Sequence, residues 1–109
     1  MPDPKAPRGT GAAGRALWRS IVGTYELEVH ERVVLGQLVK VADRIAALDS
    51  IVDEDGVLVD GRAHPALIES RLQRLTLARL LTTLRLPDQR PQRRGLRGVY
   101  SLDRARGLA

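Results

Sequence analysis

The chain has 109 residues, 43 % of them hydrophobic, with 18 Lys and Arg against 13 Asp and Glu and neither cysteine nor phenylalanine. That length supports one small domain with tails. The missing cysteine excludes disulfides, thiolate metal sites and a cysteine nucleophile.

Charge is unevenly spread. Residues 1–84 balance, whereas residues 85–109 hold seven Arg against Asp88 and Asp103, so the net charge of +5 belongs to the C-terminal end. A polyanion, above all nucleic acid, is the partner this distribution suggests. No aliphatic run approaches the roughly 20 residues needed to cross a bilayer. The first eight residues lack the apolar stretch of a signal peptide, so a soluble intracellular protein is expected.

Residues 1–12 carry three prolines and two glycines and are expected to be disordered. A first short helix is predicted over 13–23, where Leu17, Trp18, Ile21 and Val22 share one face. A second helix is predicted from Glu28 to Asp53, with Glu28 and Glu31 at capping-box spacing. Val34, Leu38, Val41, Ile45, Leu48 and Val52 recur at steps of four and three, the seam of a helix packed lengthwise on a partner. Leu35, Val39, Ala42 and Ala46 form a second face and are predicted to meet a neighbouring subunit.

The connector, residues 53–64, brackets Val57, Leu58 and Val59 with Gly56 and with Asp60 and Gly61. A small β-hairpin or an irregular loop fits it. Pro65 suits the first turn of a third helix, which should stop before Pro87. Ile68, Leu72, Leu75 and Ala78 occupy one side of that helix, and Leu77, Leu80, Leu81 and Leu84 another. A helix apolar on two sides is buried on two sides, so the second set is predicted to be oligomer interface. The expected core is Leu17, Trp18, Ile21, Leu38, Val41, Ile45, Leu48, Leu72 and Leu75. The resulting fold class is all-α: a short N-terminal helix, then a long antiparallel helical hairpin with a β-like connector, spanning 13–86. Residues 87–109 read as a flexible arginine-rich tail.

Motifs that could carry chemistry fail on context. Residues 9–14 match G-x-G-x-x-G, but a proline-rich stretch precedes them and no parallel-sheet pattern follows. A flexible linker is the alternative. Asp53, Asp55 and Gly56 fit positions 3, 5 and 6 of a calcium loop, yet Ile51 and Arg62 stand where positions 1 and 12 demand oxygen ligands. His64 is expected at the start of the third helix and His30 as an exposed first-turn residue. Nothing pairs either with a particular serine as a nucleophile. The chain is read as non-enzymatic, with no cofactor, metal or small-molecule substrate.

The arginines are the main functional signal. Arg85, Arg90, Arg93, Arg94, Arg97, Arg104 and Arg106 are assigned to DNA contact, with Arg8, Arg15 and Arg19 as a secondary set. Every cation after residue 84 is Arg, whose planar fork grips phosphate bidentately and stacks on bases; a solubilising tail is the plainer reading. A helix-turn-helix regulator is conceivable, but the second helix is long and Glu26, Glu28 and Glu31 at its start would repel phosphate. A structural adaptor with a basic tail is another alternative.

Gly14, Arg15, Ala16, Leu17 and Trp18, then Ile21 and Val22, then Tyr25, Glu26 and Leu27 resemble the N-terminal pattern of small terminase subunits of tailed bacteriophages. The acidic connector leading to Gly61, the His64–Pro65 pair and the exit through Leu84, Arg85, Leu86 and Pro87 resemble the rest of that family's pattern. The resemblance spans residues 14–87. It implies a protein of the bacterial host cytoplasm that assembles into a ring, binds double-stranded phage DNA and recruits the large terminase subunit, which carries the ATPase and nuclease. Nothing ahead of Gly14 matches the separate DNA-binding domain of larger members, so sequence reading and backbone gripping both stay open.

Overall fold

The computed structural model describes residues 4–87. Three helices, α1 (Ala12–Val22), α2 (Val29–Asp55) and α3 (Pro65–Leu84), enclose a two-stranded connector, β1 (Leu58–Val59) and β2 (Arg62–Ala63). The architecture is all-α, with α2 and α3 as a long antiparallel hairpin and α1 laid against α2 near the hairpin's open end.

Local sequence accounts for each boundary. The Glu28 backbone N–H donates to the Glu31 carboxylate at 2.7 Å, and the Glu28 side chain accepts from the third residue of α2, completing the capping box. At the tip, Asp60 and Gly61 both take positive φ, 51° and 75°, the mirror-image turn that matches strand twist. It pairs Leu58 with Ala63 and Val59 with Arg62. His64 caps α3: its Nδ1 accepts from the Ala66 N–H at 2.9 Å and its Nε2 lies 2.9 Å from the Asp55 carboxylate. The cap requires the neutral ring to carry its proton on Nε2, facing Asp55. Arg85 closes α3 in the left-handed conformation, its N–H shared between Leu81 and Thr82 carbonyls.

The core sits at the open end of the hairpin. Trp18 and Ile21 of α1 meet Leu35, Leu38 and Val39 of α2 and Leu84 of α3, with Leu77, Leu80 and Leu86 packed around them. On α2 the expected seam is inward: Leu38, Val41, Ile45 and Val52 are buried, with Val34 and Leu48 half-buried.

Two expectations about packing are corrected. On α3 the inner seam is Ala66, Ser70, Gln73, Leu77, Leu80 and Leu84, also at steps of four and three. Leu72 and Leu75, expected in the core, stand 51 % and 54 % exposed beside Ile68. The reason lies in α2, which offers Asp49 at the tip half. Ser70, buried to 2 %, donates to one Asp49 oxygen at 2.7 Å, and Arg74 holds the other. The bonds rotate α3 so that its small and polar residues face inward there. On α2, Leu35 and Val39 are fully buried by α1, and Leu84 is buried by the same cluster. These three are therefore interior residues of one chain, not interface. Leu77 and Leu80 are half-buried against the core, Ala42 is half-buried, and Ala46 and Leu81 are exposed.

Residues 4–11 also differ from the expected disorder. They form a strap over α1: the Trp18 indole N–H donates to the Pro4 carbonyl at 2.8 Å, Thr10 closes a turn on the Pro7 carbonyl, and Ala6 packs on the core. A buried indole needs an acceptor, and the strap supplies it. The tail at residues 88–109 lies outside the described residues.

Candidate nucleic-acid interface

On α1, Gly14, Trp18 and Ile21 point inward. Arg15 and Arg19 lie one residue further round, four apart, so both project from the outer face of the helix. Arg8 is exposed on the strap, and Lys5 lies on the same strap. Leu84 and Leu86 pack in the core cluster with Trp18, so the chain leaves α3 through Arg85 at the end of the hairpin that carries α1. Arg8, Arg15, Arg19 and Arg85 thus gather at one end of the fold. Arg90, Arg93, Arg94, Arg97, Arg104 and Arg106 lie outside the described residues.

The opposite end is acidic. Asp49, Asp53, Glu54, Asp55 and Asp60 fall within the last turns of α2 and the connector. The Asp55–His64 hydrogen bond and the Asp49–Arg74 ion pair, the only ion pair between permanently charged side chains among the described residues, both belong to this half. The arginines of α1 and the strap have no carboxylate partner among the described residues. Their guanidinium groups face solvent, with Glu26, Glu28 and Glu31 at the same end of the fold and Asp43 against the first turn of α1, so phosphate contacts through them would release counterions.

The start of α2 is not available for reading DNA. Glu28 and Glu31 are bound into the capping box, and Arg32 donates to the Leu27 carbonyl. Two carboxylates would meet any phosphate approaching that turn.

The glycine motif has a packing explanation that sequence reasoning missed. The backbone N–H groups of Gly11 and Gly14, at the start of α1, both donate to the carboxylate of Asp43 at 2.7 Å. A helix N-terminus favours an anion, and here α2 supplies it. At Gly14 a Cβ would come within 2.8 Å of the Val39 carbonyl oxygen, so glycine is required for the helices to approach. The detectable signal was Asp43 itself, a carboxylate beside the Leu35, Val39, Ala42 and Ala46 face. Lys5 was also missed, because its position depends on the Trp18–Pro4 bond.

No protein-family model, curated protein or solved structure matches this chain. No described helix is long and apolar enough to cross a membrane.

Proposed function

We propose that the protein is a small terminase subunit of a tailed bacteriophage: a non-enzymatic, self-associating protein of the bacterial host cytoplasm. In this reading it grips double-stranded viral DNA, marks it for packaging and recruits the large terminase subunit. The observation that carries the reading is the group of arginines at the α1 end that have no carboxylate partner among the described residues, where α3 also ends at Arg85. Weak phosphate contacts become useful when copies multiply. Ile68, Leu72 and Leu75, exposed at steps of four and three on α3, offer a seam for a second copy. Residues foreseen at the interface, Leu35 and Val39, are replaced in that role by this stripe.

The test is duplex DNA binding by the full-length chain across a salt series, with native mass measured in parallel. Phosphate neutralisation predicts a log–log slope of about −0.9 per contact. Replacing Arg90, Arg93, Arg94, Arg97, Arg104 and Arg106 together by Gln should flatten the slope and weaken binding at least tenfold. Undiminished affinity in that variant, or a monomeric mass at assay concentrations, would sink the proposal.

A further inference from the structure

Between the strap and the outer face of α1 lies a half-open cavity of about 690 Å³, walled by Lys5, Pro7, Thr10, Arg15, Trp18 and Arg19 among others. That volume falls in the range of roughly 300–1,000 Å³ typical of small-ligand pockets. Its lining has two characters. Proline rings of the strap, the edge of the buried Trp18 ring and Val22 form an apolar wall. Lys5, Arg15 and Arg19 supply three cations, and no carboxylate among the described residues lines the cavity. One Arg15 nitrogen bonds the Thr10 carbonyl, which fixes the guanidinium while leaving its other donors free. Arg19 and Lys5 make no side-chain hydrogen bond among the described residues. Arg15 and Arg19, four apart on one helix, repel one another, and a dianion seated between them would relieve that repulsion.

We propose that this cavity binds the 5′-phosphate monoester of a nucleotide, either free or as the first residue of a DNA strand. A phosphate monoester brings close to two negative charges and three acceptor oxygens, matched here by two guanidinium forks and an ammonium. The apolar wall takes the base against proline and the edge of Trp18. The inference rests on the nucleic-acid reading only in choosing a nucleotide over other phosphate esters. It differs in kind from a grip on duplex backbone, whose diesters carry one charge each.

Trp18 is the sole tryptophan, so its fluorescence reports on this cavity, while calorimetry measures binding directly. The full-length protein is titrated with deoxyadenosine monophosphate, with deoxyadenosine, and with a short single strand bearing or lacking a 5′-phosphate. Saturable binding of the phosphorylated ligands is expected, at least tenfold tighter than of their unphosphorylated forms and accompanied by a Trp18 signal. Arg19→Ala should weaken it tenfold or more, Arg19→Lys less, with unfolding midpoints unchanged. A free-nucleotide site binds the monophosphate as tightly as the strand; a strand-end site prefers the strand. Equal binding with and without the phosphate, or undiminished binding in Arg19→Ala, overturns the proposal. The variant lacking the six C-terminal arginines separates the two readings. It should lose duplex affinity and keep the 5′-phosphate dependence.

Discussion

The two halves of the α2–α3 hairpin are held together by different means. At the open end, Leu35, Leu38 and Val39 are wholly excluded from water and meet Trp18, Ile21 and Leu84 in a three-helix cluster. At the tip, α3 presents Ala66, Ser70 and Gln73 to α2, and Asp49 ties the helices through Ser70 and Arg74. Hydrophobic burial scales with apolar area and has no direction, whereas the Asp49 bonds fix rotation. One half therefore supplies most of the stability and the other decides which face of α3 turns outward. That choice leaves Ile68, Leu72 and Leu75 in water.

The contrast can be broken most forcefully at Leu38. Leu38→Ala removes a side chain with no exposure and should cost about 2–5 kcal/mol, enough to unfold much of so small a domain. Val52→Ala in the tip half, where two methyl groups are lost, should cost about 1.5 kcal/mol, at roughly 0.8 kcal/mol per group. Urea unfolding of both variants measures the difference. Comparable losses would mean that the tip carries as much of the core as the open end does.

Two glycines sharpen the same comparison with opposite signs. In Gly14→Ala the new Cβ meets the Val39 carbonyl and the Asp43 carboxylate at under 3 Å, and rigid backbone cannot yield, so a loss of about 1–3 kcal/mol follows. Gly36 lies within α2, where a Cβ would meet only a Pro7 ring carbon at 3.8 Å, an ordinary contact. Gly36→Ala should stabilise by about 0.5–1 kcal/mol through the backbone entropy of glycine. Thermal unfolding decides both signs. A neutral Gly14→Ala would show that α1 can lift away from α2 at little cost.

How far these features were legible in the sequence follows from their range. The capping box of Glu28 and Glu31, the Asp60–Gly61 turn, Pro65 opening α3 and the heptad on α2 are local patterns, and the fold reproduces them. The facing of α3 was not legible. Both of its candidate stripes are leucine-rich, and the deciding bond, Asp49 to Ser70, spans 21 residues. Asp43 reaching Gly11 and Gly14 is longer still, at 32 and 29 residues. Composition alone marked residues 4–11 as unfolded, yet a single indole N–H and a single distant carboxylate are sufficient to place them.

The smallest effect on folding should come from the outward stripe, and it carries the most information on assembly. Leu72 is half in water, so Leu72→Lys should move the unfolding free energy of dilute protein by about 0.5 kcal/mol or less. If the stripe joins copies, the same substitution should shift the native mass to the monomer, since burying an unpaired ammonium in a helical seam is costly. Leu81 provides the control. It is 39 % exposed on a different face of α3, one expected from sequence to be interface, and Leu81→Lys should leave the mass unaltered. The reverse outcome, dissociation by Leu81→Lys and none by Leu72→Lys, would place the seam on the face that the leucine spacing alone suggested. The rotation imposed by Asp49 would then matter for the monomer and not for its assembly.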